Sequence, residues 1–281
     1  MFARVIKSAI TSPRLVLIST RNCSAFTQVT EKDGIREIRL NNEKTKNSLS
    51  LQMMNNLISD ITRDENNETL RAIVLSSTGN VFSAGHNLKE LTKESGPEHH
   101  KAVFTRCADL MLAIMNSPVP IIAKVDGLAT AAGCQLVATC DIVVCSERSK
   151  FSTPGANFGI FCSTPGIALA RAVPRMQASY MLLTGLPIDA KEAKNSGLVT
   201  DVVPKEELDA RVEEICEAIK HKSRSVVELG KKFFYAQLNF DVKTAYDLGA
   251  QTMVSNLKMK DGAEGIQSFV EKRKPKWSHK N

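Results

Sequence analysis

The sequence predicts an α/β fold in which short strands alternate with helices up to about residue 203, followed by a helical C-terminal segment. Three observations carry this. First, residues 71–76, 120–125 and 141–145 are short runs rich in β-branched and apolar residues, the composition of buried strands. Second, helical signals lie between them and recur every few tens of residues, with no exact sequence repeat. Third, from Lys205 onward the apolar residues recur at helical spacing with few strand signals.

Taken in order, residues 28–40 alternate apolar and polar side chains around Asp33 and Gly34, which predicts a hairpin with a tight turn. Ser48 or Ser50 then caps a helix whose expected apolar stripe is Leu51, Met54, Ile58 and Ile61. After the strand at 71–76 comes VFSAGHNLKEL (81–91), where Gly85 allows a sharp bend before a helix, leaving backbone N–H groups facing a cleft. After the strand at 120–125 comes VDGLATAAGCQL (125–136). Its small side chains from Ala129 to Gly133 let a ligand approach the backbone or let helix and strand pack tightly, and Ala132 and Gly133 fall in a first helical turn. Asp141 is read as the end of a helix–strand junction. Residues 205–220 place Leu208, Val212, Ile215 and Ile219 on one face, and 223–238, 242–257 and 261–274 also read as helices that pack on the core or on another subunit.

Composition bounds the function. The chain has 281 residues, 43% hydrophobic and 24% charged, enough to bury a core without disulfides or metals. Its 37 basic and 30 acidic side chains give +7. Residues 1–30 contain Arg4, Lys7, Arg14 and Arg21, many hydroxyls and no acid, as expected of an organelle transit peptide, here placed over 1–27. Without those four cations the count is 33 against 30, a net of +3, so most of the basic excess is an address. Nucleic-acid binding is therefore disfavoured: only Lys272, Arg273 and Lys274 cluster, and aromatics make up 5%. Seven scattered cysteines without a CxxC pair argue against a disulfide framework and a zinc site, and reduced thiols suit the mitochondrial matrix. His99 and His100 lack a third ligand nearby and read as an exposed helix start. No apolar run approaches the roughly 20 residues that span a bilayer.

Several motifs together resemble the crotonase (enoyl-CoA hydratase/isomerase) superfamily from about residue 28 to the C-terminus. They are NNEKTKNSLS (41–50), FSAGHNLK (82–89), PVPIIAKVDG (118–127), AGCQL (132–136) with Cys140 and Asp141, and FVEKRK (269–274). The resemblance implies a spiral of ββα units over 28–203 and a C-terminal helical trimerisation segment over 204–281, giving a homotrimer or hexamer. It implies an acyl-CoA thioester ligand, no separate cofactor or metal, and a role in fatty-acid metabolism. It places the carbonyl oxygen between the backbone N–H groups of His86 and Ala132, and Lys89 and Lys272 near the CoA phosphates, the latter from a neighbouring subunit in some relatives.

The resemblance also exposes a gap. The carboxylate positions of the family are occupied by Gln135, Gly155 and, for relatives that place an acid further on, Ser163. No residue is therefore assigned as catalytic. Gln135 is expected to bind water at most. A positioned acid or base contributes about 10² to 10⁴ in rate and an oxyanion donor about 10² to 10³. Losing both carboxylates then costs about 3 to 11 kcal/mol of barrier, so ordinary hydratase activity should be weak or absent. Substitutes are few: the His86 imidazole has an ordinary pKa suited to acid–base work, but its family role is through the backbone and its side chain is expected to face solvent, Cys162 and Ser163 lack an activating base, and Cys134 is either a small buried filler or a thiolate favoured by a helix N-terminus. The alternatives are an acyl-CoA lyase or decarboxylase that uses other residues, decarboxylation needing no strong base, and a non-catalytic interaction or RNA-binding protein.

Overall fold

The structure is a computed structural model that describes residues 19–21 and 26–280. The expected leader lies outside the described residues, save Ser19–Arg21, which form an edge strand β1, and the start of the next strand.

β2 (Thr27–Lys32) and β3 (Ile35–Leu40) make the expected hairpin, with Asp33 and Gly34 both at positive φ in its turn. α1 (Leu51–Thr62) starts at Ser50, whose Oγ accepts from the Met53 N–H. Its buried residues are Met53, Met54, Leu57 and Ile61, while Leu51 and Ile58 are only partly covered. The expected stripe is thus rotated, because α1 packs on the hairpin and also on the long helix α2 (Gly96–Asn116). At its other end the fully buried Arg36 donates from Nη1 to the Asp60 and Arg63 carbonyls and pairs through Nε with Glu31 at 2.6 Å. A cation there satisfies carbonyls that the ending helix leaves bare.

The rest of the core winds as a repeated strand–strand–helix unit. β4 (Ala72–Ser77), β5 (Val81–Ser83) and α2 form one turn; β6 (Ile121–Val125), β7 (Leu128–Thr130) and α3 (Ala132–Thr139) the next; β8 (Ile142–Ser146), β9 (Lys150–Ser152) and α4 (Ser163–Ala172) the third. Each turn adds one parallel strand to a seven-stranded sheet (order β1-β2-β3-β4-β6-β8-β11) and one to a four-stranded sheet (order β10-β9-β7-β5). α5 (Arg175–Thr184), β10 (Ile188–Asp189), α6 (Ala190–Asn195) and β11 (Asp201–Val203) complete the sheets. The main core lies between the two sheets and their helices. The outer face of the larger sheet (Ala72, Val74, Ile122, Val144) is covered by α7 (Leu208–Lys220) through Leu208, Val212 and Cys216. Strands buried on both faces read as continuous apolar runs, which is why β4 was legible from sequence.

α8 (Arg224–Gln237), α9 (Val242–Lys258) and α10 (Lys260–Val270) follow as expected. α8 is pinned to the spiral by Lys231, whose Nζ donates to the Ile114 and Val119 carbonyls and pairs with Asp141 at 2.6 Å; Tyr235 donates to the same carboxylate. Asp141 is thus more than a junction residue. Asp261 accepts from Ser223 Oγ, Ser278 N and Oγ, and His279 N, which ties the tail to the start of α8.

Candidate functional site

The site is built where two turns of the spiral touch. Ser83 and Ala129 are partners in parallel strands, so the chain segments that leave β5 and β7 run side by side. A Cβ on Gly85 would lie 3.1 Å from the Ala132 nitrogen and 2.9 Å from the Ala131 Cβ, and one on Gly133 would lie 2.5 Å from the Ser83 carbonyl oxygen. Only glycine permits this approach, and it brings the backbone of Gly85–His86 against the first turn of α3.

The segment before α1 fixes the outer half. Asn47, almost fully buried, donates from Nδ2 to the Thr78 and Val81 carbonyls, and Ser83 Oγ donates to the Asn47 carbonyl. The Ala84 N–H donates to Lys46 O and the Leu49 N–H to Gly85 O. With its neighbours thus engaged, the His86 N–H has no acceptor among the described residues, and the Ala132 N–H, first in α3, has none either. Ala131, just before it, is held at φ 51° and ψ −120°, a region that costs a non-glycine residue about 1 to 3 kcal/mol. Two free N–H groups on adjoining segments, one at a helix N-terminus, suit an oxygen that gains negative charge. The bend at Gly85 leads not into an α-helix, as expected, but into a 3₁₀ turn Leu88–Leu91 capped by Asn87, and α2 begins only at Gly96. Glu90 in that turn accepts from the Leu51 N–H, anchoring it to α1.

A cavity of about 520 Å³ opens on these segments. Its wall is mainly apolar (Leu88, Leu91, Phe104, Phe158, Ile160, Phe161), and among the described residues no lining side chain is a carboxylate, amine or guanidinium.

The sequence-derived candidates divide sharply. His86, Ala132, Gly155 and Ser163 all line the cavity. Gln135 does not: it is largely buried in α3, where its Oε1 accepts from the Cys107 thiol at 3.8 Å. Gly155 is closed off by its own loop. Its N–H donates to Cys162 Sγ, its carbonyl accepts from Ile160 N, and an added Cβ would meet Ile160 O at 2.2 Å and Cys162 Sγ at 2.6 Å. Ser163 is exposed at the start of α4, its hydroxyl directed to the Phe161 carbonyl at 3.5 Å. The His86 side chain does not face solvent, contrary to expectation. It is largely buried, edge-on to Phe104 at 5.3 Å, with Nδ1 3.4 Å from the Leu49 carbonyl oxygen, and burial pushes its pKa below the usual histidine value. Burial also pushes the Cys134 thiol up to about 12 and raises that of Cys162, which removes the thiolate reading of Cys134. Lys89 is exposed on the turn that borders the cavity, whereas Lys272, exposed beyond α10, does not line it; neither has an ion-pair partner among the described residues. Phe104 and the apolar loop 158–161 gave no functional signal in the sequence, since each reads locally as ordinary helix or loop.

Comparison with known proteins bears on this arrangement. A family model described as enoyl-CoA hydratase/isomerase matches residues 30–280. The chain belongs to the enoyl-CoA hydratase/isomerase family. It is 54% identical over 254 residues to the mouse (Mus musculus) protein named enoyl-CoA hydratase domain-containing protein 3, mitochondrial, covering 90% of this chain and 85% of that protein. The crystal structure of the human protein of that name superposes with a TM-score of 0.88 at 55% identity, over 89% of this chain and 99% of that one. An enoyl-CoA hydratase from Mycobacterium smegmatis superposes with a TM-score of 0.87 at 41% identity, over 90% and 98% of the two chains. The architecture is therefore the crotonase-like spiral with a helical C-terminal segment.

Proposed function

We propose that this chain binds acyl-CoA thioesters in the 520 Å³ cavity and polarises the thioester carbonyl between the His86 and Ala132 N–H groups. The observation that carries this is the pair of unengaged N–H groups on adjoining segments beside an apolar cavity. A carbonyl oxygen satisfies both donors, and the apolar wall takes the acyl chain. Lys89 at the border, and Lys272 from a neighbouring copy, supply charge for the CoA phosphates. Ordinary hydration is weak or absent, because no carboxylate lines the cavity to activate water. The setting is fatty-acid metabolism in the mitochondrial matrix, in keeping with the basic, acid-free N-terminal stretch and the mitochondrial names of the relatives.

The chain assembles, on this reading, as a homotrimer or a pair of trimers. Two surfaces support it: α4 and α5 expose Ile167, Met176 and Leu183, and α9 and α10 expose Tyr246, Met253 and Phe269, the last 84% accessible. Apolar surface on this scale marks an interface.

Calorimetric titration with butyryl- and longer acyl-CoA esters tests the binding, alongside a crotonyl-CoA hydration assay. Saturable binding with hydration at least about 10²-fold below a two-glutamate relative is expected. No heat at millimolar ligand overturns the proposal.

A further inference from the structure

The cavity beside the His86 and Ala132 N–H groups has a lining that discriminates between acyl groups by charge. Leu88, Phe158, Ile160 and Phe161 line it and are each about half exposed or more, so this apolar wall is open to a ligand. Each methylene that such a wall covers tightens binding about fourfold. A carboxylate meets the opposite situation. Among the described residues no cation lines the cavity, and its protic side chains are uncharged. Thr130 Oγ1 shares a hydrogen bond with Ser152 Oγ at 2.8 Å, Ser163 Oγ lies 3.5 Å from the Phe161 carbonyl oxygen, and Cys162 Sγ accepts from the Gly155 N–H at 3.3 Å. Burial lowers the pKa of His86, which keeps its imidazole neutral at pH 7.

The start of α4 also borders the cavity, through Ser163, Thr164 and Pro165, and a helix N-terminus is ordinarily a place for an anion. Here it is blunted. Pro165 has no N–H, the Ser163 N–H donates to Phe161 O and the Gly166 N–H to Cys162 O, which leaves the amide of Thr164. One amide and a helix dipole worth about two- to fivefold in affinity do not offset the removal of a carboxylate from water. We infer that this cavity selects by charge, taking uncharged aliphatic acyl groups and rejecting short acyl groups that end in a carboxylate, on the reading that acyl-CoA thioesters bind there. The preference is set by the wall. Its apolar side chains, Leu88 and Phe161 among them, cover methylenes, and they offer a carboxylate nothing in place of its water.

Calorimetric titration of the intact protein with free CoA, butyryl-CoA, isocaproyl-CoA and succinyl-CoA tests this. The last two esters match in shape, an isopropyl group standing in one where the other has its carboxylate. Isocaproyl-CoA should bind about tenfold tighter than butyryl-CoA, which is two carbons shorter. Succinyl-CoA should bind at least about 10²-fold more weakly than isocaproyl-CoA. Phe161→Lys and Leu88→Lys each place an ammonium group on the wall at an exposed position. Both should tighten succinyl-CoA at least about fivefold and weaken isocaproyl-CoA, whereas Phe161→Met, which keeps the wall apolar, should preserve the native order. If succinyl-CoA binds the native chain as tightly as isocaproyl-CoA, the selectivity is overturned while the binding reading stands. If both lysine variants keep the native ratio of affinities, the wall does not choose the acyl group and the selectivity falls likewise. If no ester binds better than free CoA, the acyl group does not enter the cavity and both readings fall together.

Discussion

The backbone of Gly85–His86 and Ala131–Ala132 differs from positions 135 and 155 in what its polar groups are bound to. The polarising wall, Gly85–His86 against Ala131–Ala132, keeps free N–H groups and maintains a strained residue to present one of them. Gln135 and Gly155 are engaged instead within the protein: Gln135 is buried behind the cavity with its Oε1 accepting from the Cys107 thiol, and Gly155 is wrapped by the loop that ends at Cys162. The difference teaches that a carboxyl group placed at either position must displace existing contacts, core packing at Gln135 and backbone at Gly155, so neither substitution is expected to give a hydratase.

Gly155→Glu attacks that comparison hardest. The new Cβ would overlap Ile160 O and Cys162 Sγ, so the loop must move, at about 3 kcal/mol, the upper range of overpacking. Denaturant melts should show this loss, and crotonyl-CoA hydration should stay at background. Hydratase activity with unchanged stability would break the comparison. Gln135→Glu comes next. It buries a carboxyl group beside the Cys107 thiol and should cost about 2 kcal/mol in the same melts, again without hydration. Gln135 and Gly155 lie on different elements, so the double variant shows whether the two positions act independently.

On the polarising wall the expected sign reverses. Ala131→Gly relieves the positive-φ strain but adds chain entropy, for a net gain of about 1 kcal/mol. Acyl-CoA affinity measured by calorimetry should change little, because the N–H belongs to Ala132. The smallest effect is in pH. Burial lowers the His86 pKa, so the unfolded chain binds a proton more readily than the folded one. Stability should therefore be full above the ordinary histidine value and fall as pH drops from there through the lowered folded value. His279 is lowered as well, so the informative quantity is native minus His86→Asn, measured by melts from pH 7.5 to about 5. A difference that does not vary with pH would mean that the imidazole is not held neutral by its surroundings.

Which parts were legible follows from range. The hairpin turn at Asp33 and Gly34, the Ser50 cap, the long apolar strands and the C-terminal helices are local signals, and all are present. The three-residue strands β5, β7 and β9 are too short to show a period, so the second sheet could not be read. The rotation of α1 toward Met53 and Leu57 arises from two packing partners that no window of sequence contains. His86 illustrates the limit best. Its place after Ala84 and Gly85 predicted the backbone role, but the side chain's direction depends on Phe104 and Leu49, which come from other elements.

The sequence by itself determined the alternating α/β architecture, the family and the absence of charge at positions 135, 155 and 163, because these are properties of residue identity and spacing. Only the tertiary structure decided what those positions touch. It set the Gln135 Oε1 against the Cys107 thiol, closed a loop on Gly155 and put the His86 imidazole beside Phe104 and the Leu49 carbonyl. Those outcomes depend on distances between segments far apart in the chain, and distances of that kind are set by packing, not by local preference.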